Sequence, residues 1–389
     1  MLFPFVWTII GLFVHVSMAE ESGTTTTAAA ASTDSVDILN IWDLDKSCDE
    51  EAQSMKDAME DSLGMVTAAH EALKLLRTGL PNPRKDPEGY KRSKTRHTTV
   101  YKTCQTNICR EFFEMMKTKM LATNDFEHGY VGRFKRNGIK PKLMCGDEKG
   151  AGTWTWKPMI DLQEHHEFQK HMFKAAAWVY DYRYFFEETK SSGPLICTEE
   201  KHAQAFLPRD LIVFCDRVFD SEYKLGKWPR KLKETGISET QSLNSHRNTL
   251  PVTMLHELTH WFGGWAEIKD PSERARPDIL DQCALTKYGD TIWSIDGVEQ
   301  ALDGSIDWGD AERNGWERVA AYGLQNVMNL AQCQGKRNQN HCGPEFAIKN
   351  ADSLTFFALA MYLDEWNWSH GGEARFPNKN YNKREKPHT

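Results

Sequence analysis

From Asp49 to Arg77 apolar side chains return every three or four residues, at Met55, Met59, Leu63, Val66, Ala69, Leu73 and Leu76. That spacing lines one face of a helix and predicts a single long amphipathic element, ended by Gly79, Pro81 and Pro83. Glu111 to Leu121 predicts a second helix, and the aromatic-rich stretch His166 to Glu188 a third. Trp154-Thr155-Trp156 predicts a strand, and the apolar run Leu211-Ile212-Val213-Phe214 a short buried one. Asn124 to Gly150, rich in glycine and charge, reads as loops and short strands. Ala351 to Leu363 sets Leu354, Phe357, Ala358, Met361 and Tyr362 at helical spacing and predicts a core helix, with Asn350 and Asp352 as its caps. The pattern as a whole predicts an α+β fold, mostly helical, with a small sheet.

The two ends of the chain carry other patterns. Leu2 to Met18 is almost wholly apolar, and Ser17-Met18-Ala19 has the small-x-small form of a signal-peptidase site, so residues 1–19 are expected to be a signal peptide. An uncleaved membrane anchor is the alternative, since the stretch is nearly long enough to span. Residues 20–37 form a Thr/Ala-rich leader that cannot build a core. Residues 38–370 are expected to fold, with 38–140 an N-terminal helical part and 141–370 the part that carries the chemistry. Residues 371–389 read as a polar, basic tail, and Arg84 to His97 as a basic solvated loop.

The 389 residues are long enough for one large core or two ordinary ones. A formal net charge of -7 argues against a general nucleic-acid binder. No segment after the first is apolar enough to cross a bilayer, so no stable membrane partner is expected. Nine cysteines, all beyond residue 19, agree with an oxidising compartment and with secretion. Cys104 and Cys109 are close enough to close a small loop, as are Cys333 and Cys342, and the odd count leaves one thiol over. None forms a C-x-x-C, which disfavours a cysteine-bound structural zinc. Asn367-Trp368-Ser369 is a glycosylation sequon.

Thr253 to Phe262 contains His256-Glu257-Leu258-Thr259-His260, an H-E-x-x-H. Asn248 or Thr249 can cap this segment, Pro251 suits a first turn and Gly263-Gly264 a stop. On a helix the two histidines stand one turn apart on one face, where both can reach one Zn2+ ion at about 2.0–2.1 Å. Glu257 is then placed to take a proton from water whose pKa zinc lowers towards about 7. His165, His166 and His171 lack such spacing and read as a helical face.

A catalytic zinc usually has three protein ligands. The position six beyond His260 is Ala266, so the third ligand is expected to be an acid. The candidates are Glu267, Asp270, Asp278, Asp281, Asp290, Asp303, Asp307, Asp310, Glu312 and Glu317.

The helix motif followed by Ala321-Tyr322-Gly323 and Asn350-Ala351-Asp352-Ser353-Leu354-Thr355-Phe356-Phe357-Ala358 resembles the aspzincin metallopeptidases, the deuterolysin and peptidyl-Lys metalloendopeptidase group. Cys48 before an amphipathic helix, and Leu211 leading into Cys215-Asp216-Arg217-Val218-Phe219, are similar too. The likeness is strongest from Leu211 to Asp364. It implies a zincin-like domain with a small sheet over the active-site helix, and a last helix that braces the zinc site. In that family an aspartate three residues before the Tyr-Gly pair is the third ligand; here that position is Val319, or Leu285 if Tyr288-Gly289 is the pair. Glu317 is the first substitute, with Asp310 and Glu312 next. Tyr322 is a candidate for holding substrate or a developing oxyanion, helix packing being its alternative. The resemblance implies a secreted zinc endopeptidase acting on a protein or peptide substrate, with His256, His260 and Glu317 on the metal and Glu257 as the base. The alternative, favoured by the missing aspartate, is an inactive zinc-binding or cell-wall interaction protein on the same scaffold.

Overall fold

The computed structural model describes residues 42–78, 82, 84–87, 107–121, 140–147, 155–158, 176–180, 183–187, 196–197, 201–206, 211–220, 227–264, 279–302, 308–332, 342–368 and 371–375. All of them lie in the unit Val36–Thr389. The expected signal peptide and leader, most of the basic loop and tail, and His165, His166 and His171 fall outside the described residues.

The strands are β1 (Asp43–Leu44), β2 (Lys142–Cys145), β3 (Thr155–Pro158), β4 (Ala176–Tyr180), β5 (Arg183–Glu187), β6 (Ala203–Phe206), β7 (Leu211–Phe214), β8 (Thr291–Ile295), β9 (Val298–Leu302) and β10 (Glu317–Arg318). The helices are α1 (Ala52–Thr78), α2 (Asn107–Met120), α3 (Pro229–Thr235), α4 (Leu250–Gly264), α5 (Trp308–Arg313), α6 (Leu324–Gln332), α7 (Pro344–Ala347) and α8 (Ala351–Tyr362). The fold is thus α+β, with small sheets.

The expected helical face of α1 is the one that packs: Met55, Met59, Val66, Ala69 and Leu73 are buried. Helices α2, α4 and α8 all pack on α1, and α4 also packs on α8. Every residue of α8 from Ala351 to Met361 is buried, which is why it shows no polar face: a helix apolar all round belongs at the centre. Ser62, buried on α1, donates to the Pro251 carbonyl at 3.0 Å and so ties α1 to the first turn of α4.

Strands run in the order β1-β2-β7-β6 in one sheet. There β1, β2 and β7 are parallel, and β6 lies antiparallel to β7 at the edge. All four residues of β7 are buried, the expected fate of an unbroken apolar run between two neighbours. Two further antiparallel sheets have the orders β10-β8-β9 and β3-β4-β5.

The helix expected from His166 to Glu188 is corrected by β4 and β5, which pair with Trp178 opposite Phe185 and Val179 opposite Tyr184. Aromatic and β-branched residues favour such pairing, and here that preference outweighs the aromatic-rich pattern read as helical. Helix α2 begins at Asn107, four residues before Glu111. Cys48 is bonded to Cys145 and Cys197 to Cys215, which ties the chain before α1 to β2 and the segment before β6 to the end of β7. Cys109 and Cys342 are also disulfide-bonded, and Cys283 is in no disulfide. Among the described residues no helix is long and apolar enough to cross a membrane.

Candidate metal centre

Helix α4 carries the H-E-x-x-H through the core. Thr249 starts it, its carbonyl accepting from the Thr253 amide at 2.9 Å, and Pro251 occupies a first-turn position where no amide proton is needed. At the other end Gly263 is indispensable for space. A Cβ there would lie 2.7 Å from three atoms of Ile279, so only glycine lets the segment from Ile279 onward close on the helix.

That segment brings the third carboxylate. Asp281 Oδ1 lies 3.3 Å from His256 Nε2 and 3.4 Å from His260 Nε2, and the two Nε2 atoms are 3.1 Å apart. Four ligands at zinc-bond length around a tetrahedral ion stand about 3.3 Å from one another, so these separations match such a set. His256, His260 and Asp281 could therefore hold a metal ion.

The outer partners decide what the three inner atoms are. His260 Nδ1 is 2.6 Å from the Ile279 carbonyl, which only accepts, so Nδ1 carries the proton. His256 Nδ1 likewise faces Asp352 Oδ1 at 2.8 Å. In the neutral rings both Nε2 atoms then present lone pairs, and Asp281 Oδ1, buried, accepts no hydrogen bond. Three acceptors converge, an arrangement that calls for a cation between them. Partners of this kind fix ring orientation and raise ligand basicity.

Two neighbouring segments hold Asp281 in place. On one side the Leu280 amide donates to the Lys349 carbonyl, and the Ala351 amide to the Leu280 carbonyl. On the other, the Ala321 amide donates to the Gln282 carbonyl at 2.6 Å. Asn350, fully buried, joins the two: Oδ1 accepts from the Gln282 amide at 2.9 Å, and Nδ2 donates to the Ala321 carbonyl and Ser353 Oγ. Asn350 occupies the N-cap of α8 as expected, but it makes no side-chain cap bond; its side chain and that of Asp352, within the first turn, brace the site instead. Asp352 Oδ2 also accepts from the Gly323 amide at 2.7 Å. Gly323 has φ +81, and a Cβ there would crowd Arg247 and Asn244, which explains glycine after Tyr322.

Tyr322 donates from its hydroxyl to Asp281 Oδ2 at 2.7 Å, and its ring meets the His256 ring edge-on at 5.8 Å. Glu257 Oε2 accepts from the Ala205 amide of β6 at 2.6 Å, so the sheet lies over the helix at the candidate base.

Burial and charge compete throughout. Burial opposes a proton on either imidazole, but the Asp281 carboxylate, with Asp352 added for His256, holds both rings above their ordinary value. Without a metal between them, and with the rings protonated, His256 and His260 overcome burial at Asp281, and His256 with Arg247 and the Gly323 amide does so at Asp352, keeping both carboxyls below the usual range. For Glu257 burial prevails and raises its carboxyl, against the pull of the two rings. Burial and the neighbouring Asp281 push the Tyr322 hydroxyl upward, so it stays a donor.

No family model, curated protein or solved structure matches this chain. The site therefore rests on its own geometry. Of the residues expected from sequence, His256, Glu257, His260 and Tyr322 come together. Glu317 does not: it is exposed on β10, opposite Ser294 in the β8 ladder. Asp310 is exposed and paired with Arg313, and Glu312 lies in α5. The carboxylate that reaches both rings is Asp281, one of the ten candidate acids; the fixed spacing to a Tyr-Gly pair pointed past it. Asn350 and Asp352 stood in the motif that implied a bracing last helix, though their side chains read as caps; the Ala205 amide carried no signal in the sequence.

Proposed function

We propose that the protein is a secreted, zinc-dependent endopeptidase, in keeping with its resemblance to the aspzincins. The observation that carries this reading is the convergence of three acceptor atoms, from His256, His260 and Asp281, beside the buried carboxylate of Glu257. Two imidazoles and one carboxylate, with a fourth position open, suit a catalytic zinc. When bound, zinc supplies a water acidified to a pKa of about 7 and polarises a carbonyl oxygen.

The chain's own groups do the rest. Glu257 has Oε2 held by the Ala205 amide, which leaves Oε1 to take the proton of the attacking water. Its raised pKa suits it to hold that proton and pass it to the leaving amine. Tyr322, 42% exposed, gives its one hydroxyl proton to Asp281, and donates to an oxygen gaining charge only by turning that hydroxyl from the carboxylate. A peptide substrate is favoured by the edge strand β6. Because the His202 carbonyl bonds to the Cys215 amide, Ala203 and Ala205 turn their backbone groups away from β7; the Ala205 amide is taken by Glu257, and Ala203 and the Ala205 carbonyl are left to pair with an extended chain.

The rival reading, a metal-capturing protein without activity, drew on the missing aspartate; Asp281 removes that support. Glu257→Gln tests the choice. The variant is expected to keep zinc and to lose turnover by about 10²–10⁴-fold, with the parent's cleavage of casein abolished by a chelator. Casein cleaved by the variant as fast as by the parent would refute the mechanism, and bound zinc with no cleavage by the parent would favour the rival.

A further inference from the structure

Arg247 stands three residues before α4, where it closes the short 3-10 turn Leu243–His246. Its guanidinium lies over the Tyr322 ring, Cζ 5.2 Å from the centroid. That ring in turn touches His256, and its hydroxyl touches Asp281. Arg247 is thus one side chain removed from two of the metal donors, His256 and Asp281.

Its charge is only loosely engaged. Nε is 3.6 Å from Asp352 Oδ2, beyond hydrogen-bond distance, and the side chain is 31% exposed. Asp352 has other partners: the His256 ring on Oδ1 and the Gly323 amide on Oδ2. Beyond the contact with Asp352 and the Tyr322 ring, its N–H donors make no hydrogen bond among the described residues, and the group such a planar fork fits is a carboxylate.

The electrostatic setting agrees. Glu257, Asp281 and Asp352 place three carboxylates at the site; a divalent ion and Arg247 together balance them, so a substrate carboxylate beside Arg247 meets no net negative charge. The Arg247 charge also reaches His202, immediately before β6: burial chiefly, with Arg217 and Arg247, holds that imidazole down at about 4.

We propose that Arg247 forms a carboxylate-binding subsite beside the metal group, so that preferred substrates carry a carboxylate near the bond cleaved. The carboxylate is supplied by an acidic side chain or by the end of a peptide. This inference rests on the peptidase reading and adds a substrate class to it.

The test compares matched peptides on the zinc-loaded protein: Glu against Gln at each position flanking the cleaved bond, and a free C-terminus against its amide. The parent is expected to favour the carboxylate member at one position by about 10- to 100-fold in kcat/KM. R247Q brings that ratio near one, R247E inverts it, and R247K keeps a fraction, having charge without the fork. The position at which the ratio appears tells side chain from terminus. A purely structural role, acting through Asp352, lowers both members of each pair alike and leaves the ratio untouched. A parental ratio near one at every position, or an unchanged ratio in R247Q, overturns the subsite while leaving the peptidase reading intact. If nothing is cleaved, the peptidase reading fails, and the same pairs are titrated calorimetrically onto zinc-loaded E257Q and E257Q/R247Q. Tighter carboxylate binding that R247Q abolishes then supports the subsite, and equal affinities overturn it.

Discussion

Asp281→Asn separates the ligand found in the structure from the one the sequence suggested. The substitution keeps shape and removes the charge of an oxygen 3.3 and 3.4 Å from the two Nε2 atoms. Binding of a structural zinc by four ligands is worth about 10–16 kcal/mol. One ligand's share is then roughly 3–4 kcal/mol, or two to three orders of magnitude in Kd. The assay is competition with a chromogenic zinc chelator at neutral pH, followed by thermal unfolding at fixed free zinc. At 100 times the parent's Kd, zinc stabilises the parent by about 2.7 kcal/mol, whereas a site weakened several-hundredfold gains only a few tenths. Each zinc increment is taken against the same variant without zinc, so any change in intrinsic stability cancels. Glu317→Gln, on an exposed strand, should match the parent in both measurements. Parent-like affinity in D281N, or loss of zinc in E317Q, would refute the assignment.

Asp352→Asn leaves the ligand set intact but presents a neutral group to His256 Nδ1, and should weaken zinc by about 10- to 100-fold in the same competition; unchanged affinity would show the contact to be idle. Gly263→Ala gains about 1 kcal/mol of helix propensity but drives a Cβ to 2.7 Å from Ile279, and overpacking costs about 1–3 kcal/mol. Urea denaturation should show net destabilisation, together with weaker zinc binding as the Ile279 carbonyl moves off His260. Burial raises the Asp61 carboxyl to about 6, against the pull of Arg230. The native state therefore binds a proton that the unfolded chain has lost, and the resulting stability is present at low pH and disappears as pH rises through about 6. The parent should lose stability relative to Asp61→Asn between pH 4 and 7, by roughly 1–3 kcal/mol, and a pH-independent difference would contradict the assignment.

Much of the architecture could be read from local pattern. The faces of α1 and α8, the apolar run of β7 and the histidine pair on α4 are periodic signals that tertiary structure reinforces. The third ligand was illegible for a topological reason. Asp281 and Tyr322 are 41 residues apart in sequence, yet the Gln282–Ala321 hydrogen bond sets their segments side by side. Strands β8, β9 and β10 occupy the intervening chain. A rule that counts residues back from tyrosine lands in that inserted sheet, on Val319 or Glu317, whereas the bonds that matter run across strands. Asp352 misled in another way: an acid in the first turn of a helix ordinarily serves the helix's own amides. What sends it to His256 and Gly323 instead is the packing of α8 against α4, which no window of sequence contains.

The helix bearing both imidazoles is also a structural keel, wedged between α1, α8 and the β6 edge. An ion gripped there acts as a folding ligand as well as a reagent, because whatever it contributes to the rings is felt by the interior around them. Were the three donors loaded, removing the ion would make the folded chain open more often.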